Sequence, residues 1–348
     1  MKTKNLFLSL AVVLSALGSS VKGQSVTLSG AGSTFVMPFY NMAFNKFTPE
    51  TGIKVTYGGI GSGGGIRSLK DKVVDFGASD AYLDDKQMDE MPAKVVQFPT
   101  CSGAVVMAFN LPGISEIKLT PAVLAGIYLG QITNWNSPMF KKFNPGVKFP
   151  DKAITVVYRS DGSGTTNIFT NYLSKISPMW KEKVGFSTSV KWPAGIGAKG
   201  NPGVAGTISQ TIGAIGYVGS EYAFAEKISY ALMLNKSGYF IKPTIASIAA
   251  AGKGTMPTDT RVMITNSSDR EAYPIAGFTW VLLYKEQNYN KRSLKQAEDL
   301  LKLWDWMVSK DAQAIAVKVN YTPLPASVVA LDKKILRTIT YNGKPILK

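Results

Sequence analysis

Along the chain, short apolar runs give way to glycine- and serine-rich turns and then to stretches with helical spacing. That order predicts an α/β protein with helices flanking its sheets. Ser25–Leu28 reads as a strand, GAGST (30–34) as a turn, and 35–47 as an amphipathic helix with Phe39, Ala43 and Phe47 on one side. Lys54–Tyr57 reads as the next strand and runs into GGIGSGGG (58–65), after which Ile66, Leu69 and Val73 have helical spacing. Residues 74–80 form a short strand ending on polar groups; Ile154–Tyr158 form another, which ends on RSDGSGTT (159–166) before the helical set Ile168, Tyr172 and Leu173. The apolar stretches 95–110 and 275–284 read as long strands, and Leu294, Ala297, Leu301, Trp304 and Val308 make a stripe expected to face a core. Repeats, low-complexity tracts and long linkers are absent from the sequence after residue 23.

Composition narrows where such a chain works. Residues 1–23 (MKTKNLFLSLAVVLSALGSSVKG) open on Lys2 and Lys4, pass through an apolar stretch from about Leu6 to Leu17 and end on small residues, which reads as a secretory signal peptide. The only cysteine, Cys101, excludes an internal disulfide and a lipid-bearing cysteine at the leader's exit. A soluble protein of the bacterial periplasm is the expectation. With 348 residues and 45% hydrophobic content, the chain can stand on its own core as one large or two medium domains. The formal net charge is +16, and taking away Lys2, Lys4 and Lys22 with the leader leaves +13. This balance favours anionic partners in general. The lysines are scattered and no nucleic-acid motif accompanies them, so nucleic acid is not expected as a partner.

Chemistry is bounded most sharply by the absence of histidine. It removes Ser-His-Asp and Cys-His catalysis and His-containing zinc sites. GGIGSGGG contains a G-x-G-x-x-G match at Gly59, Gly61 and Gly64, but a run so rich in glycine meets that pattern by chance; the Walker A pattern is missing. The acidic cluster Asp84, Asp85, Asp89 and Glu90 has the spacing of neither an EF-hand nor a two-metal site and reads as a charged helix start. In RSDGSGTT, Arg159 can give two parallel hydrogen bonds to an oxyanion and Asp161 can brace it. Gly162 and Gly164 let backbone approach, and Ser163 and Thr165 add hydroxyls. Three or four such turns open on helix starts, where free N–H groups and the helix dipole favour an anion. Two other readings stay open: a phosphatase-like or phosphotransfer enzyme using Ser163 or Asp80 as nucleophile, and a carrier of sulfate or molybdate.

Four segments taken in order, GAGSTF (30–35), GIGSGGG (59–65), VDFGASDA (74–81) and RSDGSGT (159–165), resemble the periplasmic phosphate-binding protein of the ABC-type phosphate importer. Further likeness lies in FNLPG (109–113), IYLGQITNW (127–135), VKWPAGIGAKGN (190–201), GAIGYV (213–218) and YTPLP (321–325). The resemblance implies a two-domain α/β binding protein of type II-like build, each domain a mixed sheet flanked by helices, joined by two crossing strands near Phe98–Thr100 and Ala276–Phe278. Residues 24–98 with 277–348 would form one domain and 99–276 the other, with the ligand cleft between them. It implies inorganic phosphate as ligand, held by Thr34, Phe35, Ser62, Asp80, Arg159, Ser163, Gly164 and Thr165, with Asp161 behind Arg159. Gly63 stands where many relatives have a second serine, and no assigned contact depends on it. A membrane ABC phosphate permease is the implied partner; a monomer without cofactor, metal or catalysis is expected. Asp80 would accept a hydrogen bond from a proton that phosphate keeps and sulfate lacks.

Overall fold

The computed structural model describes residues 27–347. The expected leader and the residues Ser25 and Val26 lie outside that range. Eight strands build the main sheet: β1 (Thr27–Gly32), β2 (Lys54–Gly59), β3 (Phe76–Ser79), β4 (Val95–Phe109), β5 (Thr155–Arg159), β6 (Ile196–Ala198), β7 (Ala214–Gly219) and β8 (Ala276–Tyr284). Their order across the sheet is β2-β1-β3-β8-β4-β7-β5-β6, with the short strand Ser229–Tyr230 paired beside the end of β4. Parallel pairs lie at both ends and the antiparallel β8, β4 and β7 in the middle. A mixed sheet is what the resemblance implies.

The two long apolar runs are the two strands that matter most. β4 pairs with β8 through its residues 95–104 and with β7 through 105–109, so one strand carries both halves of the sheet. Every residue of β4 from Gln97 onward and every residue of β8 is buried, which explains runs with no polar alternation. The register slips between Thr279 and Trp280, which face Cys101 and Pro99, leaving Thr100 as the extra residue of a bulge. Thr100 Oγ1 lies 3.0 Å from the Tyr40 hydroxyl and is held 3.3 Å from the Thr279 carbonyl.

Helices pack on both faces. They include α1 (Met37–Thr51), α2 (Ser62–Lys70), α3 (Gly164–Ile176), α4 (Gly200–Gln210), α5 (Leu294–Met307) and α6 (Ala326–Arg337). Phe39, Ala43 and Phe47 of α1 are buried as their spacing predicts, and Ala297, Leu301 and Trp304 of α5 likewise. Trp304 meets Phe76 edge-on at 4.9 Å and Tyr40 at 5.7 Å beneath one half of the sheet. Phe169 stacks on Tyr217 at 4.5 Å beneath the other. Cys101 is fully buried, and burial pushes its thiol well above the ordinary value, which disfavours the nucleophilic thiolate. Among the described residues no helix is long and apolar enough to cross a membrane.

Three local expectations need correction. GAGST does not turn at Gly30; β1 runs through Gly32, because Gly30–Gly32 pair with Tyr57–Gly59 on one side and Phe76–Ala78 on the other. Two ladders outweigh the turn preference of glycine. Val73 does not share the buried face of α2: the helix ends at Lys70, and Val73 is 68% exposed. Leu294, the first residue of α5, is likewise exposed rather than on the core face.

One buried group is placed against stability. Asp332 on α6 is fully buried and neither carboxyl oxygen has a hydrogen-bond partner. Burial raises it from 3.8 to about 9. The folded chain thus keeps a proton that the unfolded chain releases, and stability falls as pH rises between those values. Asp332→Asn should melt a few degrees higher than the parent at pH 8 and by much less at pH 4, which thermal unfolding followed by circular dichroism can check. An equal shift at both pH values would count against this account.

Candidate functional site

The strand-end turns meet where their sequence position suggests. β1 delivers Ser33, Thr34 and Phe35 to the start of α1; β2 leads through Gly61 into Ser62 at the start of α2; β3 ends beside Asp80; β5 ends on Arg159, with Ser163 capping α3. Each glycine at the closest approaches has a spatial reason. Gly61 has φ +85°, and a side chain there would lie 2.3 Å from an Asp161 oxygen. At Gly164, an added Cβ would stand 2.5 Å from Ser62 Oγ and 2.6 Å from the Asp80 backbone nitrogen. Segments about a hundred residues apart are therefore in direct contact.

Arg159 is only 3% exposed and is fixed from three sides. Its Nε and Nη2 donate to the two oxygens of Asp161 at 2.8 and 2.6 Å, its Nη1 donates to Thr165 Oγ1 at 3.3 Å, and its backbone N–H donates to the Tyr217 hydroxyl at 2.9 Å. Burial alone would raise the Asp161 carboxyl, but the hydrogen bonds and charge of Arg159 and the Gly200 N–H outweigh it and hold the group below 3.8. Asp161 thus holds the Arg159 guanidinium by two hydrogen bonds.

Asp80 is 1% exposed. Its Oδ2 accepts from Ser33 Oγ and its Oδ1 from Thr279 Oγ1, both at 2.7 Å. Burial raises its pKa to about 6 against the pull of these two hydroxyls and of the Arg159 charge. It is therefore ionised at neutral pH, and each oxygen keeps acceptor capacity beyond the one bond it makes. A second carboxyl nearby, Glu221, is pushed up to about 8 by burial, so at neutral pH most of it is uncharged. Asp80 is then the one free anionic acceptor of the cluster, since Asp161 is matched by Arg159.

Several hydroxyl oxygens of the cluster act as acceptors. Ser62 Oγ accepts from Gly164 N at 3.0 Å and from Asp80 N at 3.2 Å. Thr34 Oγ1 accepts from the backbone N and the side-chain Nδ2 of Asn201, each at 3.0 Å, and Thr165 Oγ1 from Asn201 Nδ2 at 3.2 Å as well as from Arg159. Ser163 Oγ accepts from Thr166 N at 3.0 Å as the cap of α3. The Phe35 N–H is taken by Ser33 Oγ at 2.9 Å, so this backbone donor serves the turn itself. All nine residues expected from the sequence come together in one cluster. Four more join them that sequence reasoning did not assign: Ser33, Tyr217, Thr279 and Asn201. Asn201 lies within the quoted stretch VKWPAGIGAKGN, yet its role depends on packing that no local pattern announces.

This cluster presents one guanidinium, several hydroxyl donors and the N-terminal turns of α1, α2 and α3, with one carboxylate opposite them. Such a set suits a small oxyanion that can also give up one hydrogen bond. Comparison with known proteins agrees in fold and family. Residues 18–311 match the model of the PBP superfamily domain. The phosphate-binding protein PstS of Xylella fastidiosa is 40% identical over 316 residues, which is 89% of this chain and 85% of that protein. The phosphate-binding protein PstS of Pasteurella multocida is 40% identical over 327 residues, 92% of each. In structure, the phosphate-binding protein from Stenotrophomonas maltophilia superposes with a TM-score of 0.71 at 18% identity, over 92% of this chain and 96% of that one. The chain belongs to the PBP superfamily and, within it, to the family of phosphate-binding proteins PstS.

Proposed function

We propose that this protein binds inorganic phosphate selectively over sulfate in the periplasm and hands it to an ABC phosphate permease. The observation that carries the proposal is the pairing of Arg159 and the hydroxyl donors with a single ionised acceptor, Asp80. Phosphate near neutral pH keeps at least one proton and can donate it to Asp80; sulfate has none and would set two acceptors against each other. Leaving such a buried group unpaired costs about 1–3 kcal/mol, and more when it is charged, which is roughly tenfold to hundreds-fold in affinity. Thr34, Phe35, Ser62, Asp80, Arg159, Ser163, Gly164 and Thr165 form the site, with Asp161 behind it. Residues 24–98 and 277–348 act as one jaw and 99–276 as the other, flexing where β4 and β8 run side by side. Residues 1–23 serve as the export signal.

The role is binding without catalysis. Ser163, the obvious nucleophile, has its oxygen turned to the Thr166 N–H as a helix cap, and among the described residues no basic side chain is hydrogen-bonded to it. Closure around phosphate is the signal to the permease, because the ligand stabilises the closed form over the open one.

Calorimetric titration with phosphate and with sulfate, on parent and Asp80→Asn, tests this reading. At pH 8 the parent should take up one phosphate and show little heat with sulfate, while Asp80→Asn should lose selectivity more than it loses phosphate affinity. Because Asp80 titrates at about 6 in the unliganded chain, it is charged above that pH and neutral below it. At pH 5 it can donate to sulfate, so the parent's preference for phosphate should shrink by about tenfold or more. A phosphate-to-sulfate ratio that neither the substitution nor pH alters would remove Asp80 from the mechanism.

A further inference from the structure

Asn201 is the second residue of α4 and is fully buried. Its Oδ1 accepts from the Gly219 backbone N–H at 3.0 Å, and that donor fixes which way the amide faces. The Nδ2 group must then point at the two threonines, where it donates to Thr34 Oγ1 at 3.0 Å and to Thr165 Oγ1 at 3.2 Å. A hydroxyl has two lone pairs and one proton. Thr34 Oγ1 already accepts twice from Asn201, once from the backbone and once from the side chain. Thr165 Oγ1 accepts from Asn201 and from Arg159. Both oxygens are therefore filled as acceptors, and each is left with only its proton to offer.

We propose that Asn201 is a positioning residue that makes Thr34 and Thr165 obligatory donors, so that the site recognises ligands rich in acceptors. This inference rests on the phosphate reading above and adds a device to it. Without the amide, either hydroxyl could turn its proton inward and face an anion with a lone pair. The amide also ties Thr34, which follows β1, to Thr165 on α3, so the donors are set only when these segments meet. One side chain thereby couples closure to the polarity of the pocket.

The test uses Asn201→Asp and Asn201→Ala in the full-length mature protein, with phosphate affinity by calorimetry and thermal unfolding without ligand. Asn201→Asp keeps the acceptor for Gly219 and nearly the same shape, but puts an acceptor where Nδ2 was and so draws the threonine protons away from the ligand. It should weaken phosphate on the order of a hundredfold, while Asn201→Ala should weaken it by about tenfold or less. Melting should show the opposite order, because only alanine strands the Gly219 N–H. A role confined to structure would make alanine the worse variant in both assays.

The added charge of Asn201→Asp is controlled by repeating it in a Thr34→Val, Thr165→Val background. There the penalty should shrink markedly, since no hydroxyl remains to turn. A penalty of unchanged size would assign the effect to charge and overturn the proposal, as would aspartate and alanine variants of equal affinity. A parent that binds phosphate while either of those results is seen sinks this inference alone. A parent that binds no phosphate sinks the functional reading together with it.

Discussion

Arg159→Ala should weaken phosphate binding by roughly thirtyfold to several thousandfold, the range expected when one partner of a buried, hydrogen-bonded charge pair is truncated at a cost of about 2–5 kcal/mol. A guanidinium has five N–H donors. Asp161 takes one from Nε and one from Nη2, and Thr165 takes one from Nη1. One donor on each Nη is left for the ligand, which is the fork that two oxygens of a tetrahedral anion can accept. Alanine removes both bonds and also leaves Asp161 as an unmatched negative charge at the mouth of an anion site. Arg159→Lys should fall between parent and alanine, because it restores charge without the planar fork. Calorimetry or equilibrium dialysis with phosphate measures all three; an alanine variant within threefold of the parent would refute this account of the site.

The second large effect is expected at Gly164, and it concerns motion rather than charge. An added methyl would lie 2.5–2.6 Å from Ser62 Oγ and from the backbone and Cβ of Asp80, distances at which something must shift. Two of those atoms belong to a strand end and cannot swing aside. On the two-jaw reading proposed above, Gly164→Ala should hold the jaws apart and reduce phosphate affinity by about a hundredfold or more, as bonds between the two sides of the site are lengthened or lost. Its melting temperature without ligand should hardly change, since alanine suits the first turn of α3 better than glycine does. Small-angle scattering separates this from simple damage: phosphate should compact the parent but not the variant. Gly206→Ala on α4, where a Cβ meets nothing within 4 Å, serves as the neutral control.

Much of this site was legible because anion-binding turns advertise themselves. The Arg159–Thr165 stretch follows an apolar strand and opens a helix, so local pattern alone marks it, whereas Ser62 and Asp80 are singled out only by the resemblance. The order of the motifs then suggests the family. What stayed hidden came from tertiary packing. Thr279 lies inside an apolar run and reaches Asp80 because β8 runs antiparallel to β3, with Trp280 opposite Ser79, so the next position along falls beside Asp80. Tyr217 looks like a core aromatic, and it is one, but its hydroxyl also anchors the Arg159 backbone and pairs with Thr166 at 2.6 Å. The length of β1 was misread for a related reason: glycine signals a turn when its neighbours are unknown, and here strands on both sides held it straight.

The place of β8 in the sheet has a consequence for how the chain is made. β3 and β4 are close in sequence, yet neither pairs with the other; β8, which arrives almost two hundred residues later, inserts between them. Until residues 276–284 have left the ribosome, this sheet has a gap at its centre and Asp80 lacks the Thr279 hydroxyl. Contacts so distant in sequence close late. A nascent chain is thus kept from completing its sheet, and with it the pocket, until about four-fifths of it has been synthesised.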